Sequence, residues 1–231
     1  MKNRNILITG GSGGLGIDVT RHILTLDGIV TLLVNSEQSI QRLKSVLNDE
    51  ENRQLRFVKA DILDENQVAG AFEQAGPVEV LVHLVGGFAM GETDRFSLQD
   101  WQRQIDLNLK STFLVCKYAL KGMKSAGYGR IVTVASRAGL EPSGQLAVYS
   151  ATKAGVIAFT QAIAAETKGT SITANTIAPG TIDTPANRQA MDSTQAHLWV
   201  KPQSLAELIG FLASEKAGDL RGTVIPVYGN S

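Results

Sequence analysis

Residues 6–16 have the sequence ILITGGSGGLG, in which a short apolar run leads into a turn dominated by glycine. The apolar run at 6–9 predicts a β-strand, and the pattern over 15–26 predicts an α-helix. A glycine-rich turn between a strand and a helix lets backbone N–H groups approach a pyrophosphate, whose negative charge the helix dipole favours. The alternative interpretation is a tightly packed turn that binds nothing.

Two glycine patterns overlap in this turn. The weaker signal, G-x-G-x-x-G, arises easily in a chain with 23 glycines, and it is formed by Gly11, Gly13 and Gly16. The second, T-G-x-x-x-G-x-G, is formed by Thr9, Gly10, Gly14 and Gly16. The position of the turn, after the first strand and before a helix, favours the pyrophosphate interpretation.

Outward from this turn, short apolar runs alternate with longer helical patterns. Strands are predicted at 6–9, 29–34, 55–59, 78–85, 130–135, 172–177 and 223–227. Helices are predicted at 15–26, 40–47, 65–74, 98–107, 109–124, 149–166 and 204–214. This alternation implies an α/β fold with a mostly parallel sheet covered on both faces. We expect one domain over residues 1–231, without linkers or repeats.

Composition excludes several classes of function. The chain of 231 residues has a formal net charge of +0, which argues against nucleic acid or an anionic membrane as the main partner. No apolar stretch approaches the roughly 18 residues that span a bilayer. The single cysteine, Cys116, lies in an apolar run, which predicts a core position and fits a reducing compartment. With no signal peptide recognisable at the start, we expect a cytoplasmic protein.

A second group of residues indicates acid–base chemistry. Tyr149 and Lys153 are four residues apart in a predicted helix, so they share one face. A nearby ammonium favours the phenolate and lowers the pKa of a tyrosine, which makes the pair suitable for a carbonyl/alcohol couple. Ser136 follows the predicted strand 130–135, at the edge where ligands bind in open α/β sheets. An ordinary loop serine is the alternative for Ser136.

Together these motifs resemble the short-chain dehydrogenase/reductase family over nearly the whole chain. The resemblance implies a doubly wound Rossmann sheet of about seven strands, NAD(H) or NADP(H) as cofactor, and a carbonyl or alcohol as substrate. It implies a catalytic set of Asn108, Ser136, Tyr149 and Lys153. It implies cofactor contacts from Thr9, Gly10, Ser12, Gly14, Leu15, Gly16, Asn35, Ser36, Asp61, Ile62, Val85, Gly86, Tyr149, Lys153, Pro179, Gly180, Ile182 and Thr184.

The mechanism implied by the resemblance is hydride transfer between nicotinamide C4 and a carbonyl carbon. Tyr149 donates or accepts the proton, and Ser136 positions the substrate oxygen. Lys153 binds the nicotinamide ribose and lowers the pKa of Tyr149, while Asn108 holds a proton-relay water. Asp61 meets the adenine, and Ile182 and Thr184 meet the nicotinamide amide. The resemblance also implies homodimers or homotetramers formed through the helices near 109–124 and 149–166.

The chain departs from the family pattern after the fourth strand. The family usually carries N-N-A-G there, whereas residues 83–87 are HLVGG. The first asparagine of that pattern usually ties neighbouring strands together. His83 is expected to form such a tie through one ring nitrogen or to be a satisfied core histidine, rather than to act in catalysis. With His22 and His197 far away in the sequence, no metal site is expected.

The substrate is left open by the sequence. Residues 85–91 and 183–191 are similar to segments of the dihydropteridine reductase branch, but that branch typically lacks the serine that Ser136 provides. A generic carbonyl reductase or a 3-oxoacyl-thioester reductase is equally compatible. A cofactor-sensing regulator and a structural subunit are the non-enzyme alternatives, and the complete catalytic set argues against both.

Two further expectations concern the rim of the cofactor site. Asn35 occupies the place where NAD-specific relatives carry an acid, and Ser36 the place of arginine in many NADP-specific ones, which gives a slight lean to NADPH. Glu37 is the acid instead if the second strand ends one or two residues later. Residues 185–200 lack sustained helical periodicity and are expected to form a mobile lid, with Met191, His197 and Trp199 over an apolar substrate.

Overall fold

The computed structural model describes residues 1–230, and within them seven strands form one parallel sheet. The strands are β1 (Asn5–Thr9), β2 (Ile29–Val34), β3 (Leu55–Lys59), β4 (Val80–His83), β5 (Tyr128–Val134), β6 (Ser171–Pro179) and β7 (Val224–Val227). Their order is β3-β2-β1-β4-β5-β6-β7, so the direction of winding reverses between β1 and β4. The predicted doubly wound Rossmann sheet is confirmed, and ligands bind at such a reversal point.

The alternation of side chains along β1 explains why helices cover both faces. Ile6 and Ile8 point to one face, which packs against α1 (Gly14–Leu24) and α9 (Pro202–Leu212). Leu7 points to the other, which packs against α4 (Glu65–Ala75), α6 (Ser111–Ala126) and α7 (Ala147–Glu166). Full burial of each such side chain contributes roughly 1.5–3 kcal/mol. Cys116 is buried in the second cluster, as predicted.

The remaining helices show where local signals were misjudged. They are α2 (Glu37–Lys44), α3 (Asp49–Arg53), α5 (Leu98–Ile105) and α8 (Pro185–Ala190). The helix predicted at 40–47 starts three residues earlier, because the Ser36 side chain accepts a hydrogen bond from the Ser39 N–H and caps it. Both α3 and α8 escaped prediction, since five or six residues show too little periodicity.

Two boundaries matter for the site. The strand predicted at 78–85 is paired only over Val80–His83, so the residues after His83 leave the sheet. The two helices predicted at 98–107 and 109–124 are joined by a π turn, Asp106–Lys110, in which the Ser111 N–H donates to the Asp106 carbonyl five residues back.

Among residues 1–230, no helix is long and apolar enough to cross a membrane.

Candidate active site

The glycine-rich turn joins β1 to α1 at the carboxyl edge of the sheet. Gly10 has a φ of +73°, and the Gly13 N–H donates to the Gly10 carbonyl at 3.0 Å. Gly13 is the N-cap of α1, and within residues 1–230 no side chain accepts a bond from the first N–H groups of this helix. These groups lie at the positive end of the helix dipole, where an anion such as a pyrophosphate binds favourably.

Two glycines of this turn are required by close contacts. A Cβ on Gly16 would lie 2.1 Å from the Gly10 carbonyl oxygen, so the helix approaches the turn only without a side chain. A Cβ on Gly14 would lie 2.9 Å from the Thr184 side chain, which follows β6. Close packing therefore explains Gly16, and it leaves the uncapped N–H groups accessible. Ser12 and Leu15 are partly exposed beside them.

Thr9 and His83 link the ends of β1 and β4, the two strands at the reversal point. Both are buried, and Thr9 Oγ1 lies 2.7 Å from His83 Nδ1, so the predicted tie between strands is confirmed. His83 Nε2 lies 3.3 Å from Ser111 Oγ. Burial, with a smaller effect of Lys153, lowers the pKa of His83 to about 3, and the ring is neutral at pH 7. The Thr9 hydroxyl is therefore paired with His83 and is not open to a ligand.

Asn108 lies at the middle of the π turn and is 1% exposed. Its carboxamide pairs with the backbone of Gly87, accepting from the N–H and donating to the carbonyl, both at 3.0 Å. The Thr112 hydroxyl donates to the Asn108 carbonyl oxygen at 2.6 Å. The side chain predicted to hold a relay water thus fixes the segment that follows β4.

Lys153 is buried on α7, and its Nζ donates to the Val134 carbonyl at 3.0 Å. A Cβ on the exposed Gly86 would lie 3.1 Å from Lys153 Nζ and 2.9 Å from Asn108 Oδ1. The absence of a side chain at Gly86 therefore leaves a small polar recess between a cation and an amide. Burial lowers the pKa of Lys153 to about 8.

Tyr149 and Ser136 meet as the sequence predicted. Ser136 follows β5, and its Oγ accepts from the Ala138 N–H at 3.2 Å. Its side chain is also hydrogen-bonded to Tyr149. The Tyr149 ring lies 5.8 Å from Lys153 Nζ, and Phe88 packs edge-on against it with centroids 5.0 Å apart. The four predicted catalytic residues are thus grouped at the carboxyl ends of β4 and β5.

The expected effect of Lys153 on Tyr149 is corrected by this geometry. Burial raises the pKa of Tyr149, and the hydrogen bond with Ser136 offsets only part of that rise. Lys153, whose Nζ lies 5.8 Å from the Tyr149 ring centroid, does not reverse that rise. The phenol is therefore fully protonated at neutral pH.

A cofactor cleft follows the carboxyl edge of the sheet, and its end remote from Tyr149 lies where β2 and β3 end. Asn35 Oδ1 accepts from the Ser39 hydroxyl at 2.9 Å, and Ser36 Oγ accepts from the Ser39 N–H at 3.2 Å. The alternative of a longer strand is wrong, because β2 ends at Val34 and Glu37 begins α2. Asn35 therefore holds the position next to the strand end.

The predicted adenine contact follows β3. Asp61 is exposed, and its Oδ1 accepts from the Leu63 N–H at 2.9 Å, which closes a tight turn. Ile62 is 8% exposed and packs in the core, so its side chain is not open to a ligand. Asp61 and Val85, which is partly exposed after β4, are accessible at the same edge of the sheet.

Known proteins share the sequence motifs and the fold of this chain. A family model described as short chain dehydrogenase matches residues 4–195. The chain belongs to the short-chain dehydrogenase family. This dehydrogenase is therefore an NAD(P)-dependent oxidoreductase, as the motifs predicted.

Relatives of this dehydrogenase resemble it over nearly their full length. The 3-oxoacyl-acyl-carrier-protein reductase MabA of Mycobacterium tuberculosis is 32% identical over 98% of this chain and 92% of MabA. The solved structure of ElxO with NADP bound has 28% identity and a TM-score of 0.92, covering 99% of this chain and 98% of ElxO. A variant of actinorhodin polyketide ketoreductase with NADPH has 27% identity and a TM-score of 0.89, covering 99% and 98%.

In this dehydrogenase the segment after β6 returns to the glycine-rich turn. Pro179 is buried at the strand end, and a Cβ on Gly180 would lie 3.2 Å from the Tyr228 carbonyl oxygen. Ile182 forms a parallel bridge with Val200. Thr184 is buried, and its hydroxyl caps α8 by accepting from the Asn187 N–H at 3.2 Å.

Part of the predicted lid is anchored. Trp199 is 8% exposed, so its side chain is packed in the core rather than on the surface. The Asn230 N–H donates to the Leu198 carbonyl at 2.9 Å, which fixes that end of the segment. Residues 185–190 are the helix α8, contrary to the expected irregular backbone. Met191, at 49% exposure, and His197 remain on the surface.

Several residues of the site escaped sequence reasoning in this dehydrogenase. Phe88 covers Tyr149, Gly87 binds Asn108, and Ser111 binds His83. Phe88 and Gly87 fall in the segment 85–91, whose similarity to the dihydropteridine reductase branch predicts no role for either. Ser111 lies three residues after Asn108, one helical turn away, and that spacing is the only signal that pointed to it.

Proposed function

We propose that this dehydrogenase reduces the ketone of a 3-oxoacyl thioester with NADPH. The observation that carries the proposal is the grouping of Tyr149 and Ser136 beside the buried Lys153. MabA, named as a 3-oxoacyl-acyl-carrier-protein reductase, supports the substrate class. The NADP and NADPH named with two similar structures support the cofactor.

The residues present fit a nicotinamide dinucleotide. The uncapped N-terminus of α1 suits the pyrophosphate, and the recess at Gly86 between Lys153 and Asn108 suits a ribose with hydrogen-bonding hydroxyls. Thr184 lies against Gly14 and would bring the segment after β6 to the nicotinamide. When bound, the cofactor supplies the hydride.

The protein's own residues handle the proton and the oxygen. Tyr149 holds a proton on Oη at neutral pH, because burial raises its pKa, and it is therefore suited to donate that proton to a forming alkoxide. Ser136, bonded to Tyr149, is placed to donate to the same oxygen. Lys153 is positively charged below its pKa of about 8. This charge stabilises negative charge that develops on Tyr149 Oη or on the substrate oxygen. The protonated phenol is the form that the reductive step requires as its proton donor.

The decisive assay follows NADPH and NADH oxidation by the purified protein with acetoacetyl-CoA, a simple aliphatic ketone and a quinonoid dihydropterin. We expect turnover of the thioester with NADPH to exceed that of the ketone by at least about tenfold, since remote binding energy aids the chemical step. Turnover of the dihydropterin alone would reject the proposal and support the dihydropteridine reductase branch. Binding of NADPH without turnover of any substrate would support a cofactor-sensing regulator.

We propose a homodimer or homotetramer formed through α6 and α7. Phe113 on α6 is 45% exposed, and its ring packs edge-on against Phe159 on α7 with centroids 6.2 Å apart. An aromatic pair that spans two helices, with Phe113 exposed and Phe159 partly buried, suits a subunit interface. Light scattering after gel filtration tests it: Phe113→Glu should shift the mass to a monomer, and a monomeric wild type would reject it.

The cytoplasm remains our proposed location, in line with the unpaired, buried Cys116.

A further inference from the structure

A chain of buried hydrogen bonds runs from the cofactor turn to the π turn. Thr9 Oγ1 lies 2.7 Å from His83 Nδ1, and His83 Nε2 lies 3.3 Å from Ser111 Oγ. The Ser111 hydroxyl donates to the Leu107 carbonyl at 2.7 Å. Leu107 directly precedes Asn108, so this series of hydrogen bonds connects the end of β1 to the residue beside the catalytic amide.

The direction of each bond follows from counting hydrogens. Ser111 has one hydroxyl hydrogen, and the Leu107 carbonyl takes it. The Ser111 oxygen must therefore accept from His83, which places the ring hydrogen on Nε2. Nδ1 is left with a lone pair and accepts from the Thr9 hydroxyl. In this arrangement the Thr9 and Ser111 hydroxyls and both ring nitrogens of His83 all have hydrogen-bond partners.

The bond from the Ser111 hydroxyl to the Leu107 carbonyl lies at the π turn, where the helix is irregular. The π turn displaces the backbone around Leu107 and Asn108 from the regular helical pattern, and such turns cost stability unless side chains support them. The Leu107 side chain also contacts Gly87, on which a Cβ would lie 2.8 Å from Leu107 Cδ1. A displacement of Leu107 would therefore move both Asn108 and its partner Gly87.

We propose that His83 is a positioning residue that sets the place of Asn108 through Ser111 and the Leu107 carbonyl, in addition to tying β1 to β4. The inference rests on the proposed function and on the relay role that the family resemblance implies for Asn108. It gives the two ring nitrogens separate tasks. Nδ1 supports the cofactor turn, and Nε2 supports the catalytic amide.

Nitrogen NMR of the ¹⁵N-histidine-labelled wild type tests the hydrogen count directly. His22→Gln and His197→Gln assign the other two signals. We expect His83 to be neutral at pH 7 with hydrogen on Nε2 and none on Nδ1. Hydrogen on Nδ1 would overturn the proposal, because Nε2 would then take the Ser111 hydrogen away from Leu107. This test needs no activity and no variant of His83.

Kinetics of two variants of His83 then separate the tasks of its two ring nitrogens. The amide of asparagine reaches the place of Nδ1, and the amide of glutamine reaches the place of Nε2. We expect His83→Asn, which keeps only the Thr9 bond, to lower kcat about tenfold with the KM for NADPH within about twofold. We expect Ser111→Ala to match it, and His83→Gln to recover most of kcat while raising that KM.

The control is Thr167→Val, which removes a buried hydroxyl bond at the far end of α7 and should lower only the melting temperature. If His83→Asn and Ser111→Ala keep kcat within about twofold of wild type, the inference is wrong. It is also wrong if kcat and KM change together in all His83 variants. An inactive wild type would instead reject the proposed function, which keeps the two failures distinct.

Discussion

The two ends of the cofactor cleft are built in different ways. At the catalytic end Asn108 and Lys153 are buried, and each is fixed to backbone from another part of the chain. At the adenosine end Asn35 and Glu37 are exposed, and their side chains bond only within the first turns of α2. The comparison indicates that the first end is built for one geometry, whereas the second tolerates exchange of side chains. Substitutions should therefore affect rate at one end and cofactor preference at the other.

The largest effect is expected from Tyr149→Phe. This change removes the proton donor and keeps the ring packed against Phe88, so kcat should fall by about 10²–10⁴ while NADPH still binds. Steady-state kinetics and quenching of protein fluorescence by NADPH measure the two quantities. A variant that kept more than about a tenth of the wild-type rate would refute the tyrosine mechanism.

Gly86→Ala tests how closely the catalytic end is fitted. The added Cβ would meet Lys153 Nζ and Asn108 Oδ1 at 3.1 and 2.9 Å, so one or both must move, and we expect kcat/KM for NADPH to fall about tenfold. Gly70→Ala on α4 is the matched control, since a Cβ there meets nothing within 4 Å. Equal kinetics of the two variants would show that the recess is not used.

Asn35→Asp tests the tolerant end. A carboxylate there would accept from a ribose hydroxyl and repel a 2′-phosphate, so the ratio of kcat/KM for NADPH to that for NADH should fall about tenfold, or roughly 1.4 kcal/mol. In the wild type we expect the two efficiencies to differ by less than about a hundredfold. Glu37→Ala is the control, and a larger change with it than with Asn35→Asp would place discrimination on α2.

The pH dependence should reflect the catalytic end alone. Lys153 has a lowered pKa of about 8, so its charge is present below that pH and is lost as the pH rises through it. Tyr149 has a raised pKa and stays protonated over the same range. We expect kcat/KM for NADPH, which reports the free enzyme, to decline above about pH 8. A profile that stays flat to pH 10 would contradict this assignment.

The smallest effect concerns the proposed lid, which we now limit to residues 185–195. Trypsin should cut at Arg188, an exposed residue held by Asp183, severalfold more slowly when NADPH and a thioester product are bound. Cleavage at Arg53, also exposed but remote from the cleft, gives the reference rate. Equal protection of both sites, or of neither, would argue against closure.

The sequence predicted those parts of the site that depend on local patterns. The turn after β1 and the spacing of Tyr149 and Lys153 involve neighbours along the chain, so helix and strand periodicity was enough to place them. The carboxyl-edge position of Ser136 followed from the strand before it. Each of these arguments uses a few consecutive residues and the general rule for open sheets.

The remaining parts depend on contacts between distant segments. The π turn at Asn108 leaves no periodic signal, because one extra residue only interrupts a pattern that continues on both sides. The raised pKa of Tyr149 depends on how much Phe88 and its surroundings exclude water, which spacing does not reveal. The second bond of His83 requires knowledge of where α6 crosses the sheet.

The π turn also restricts how this chain can change in length. Residues 98–126 form one continuous helical rod, and the turn shifts its angular register between the part that carries Leu98 and the part that packs on the sheet. Deleting one residue from the regular helix before the turn would rotate everything that follows by about 100°. Leu114, Val115 and Met123 would then leave the core. A deletion within the turn itself would instead restore regular helix and keep both packed faces in register, and it would remove the displaced backbone that carries Asn108.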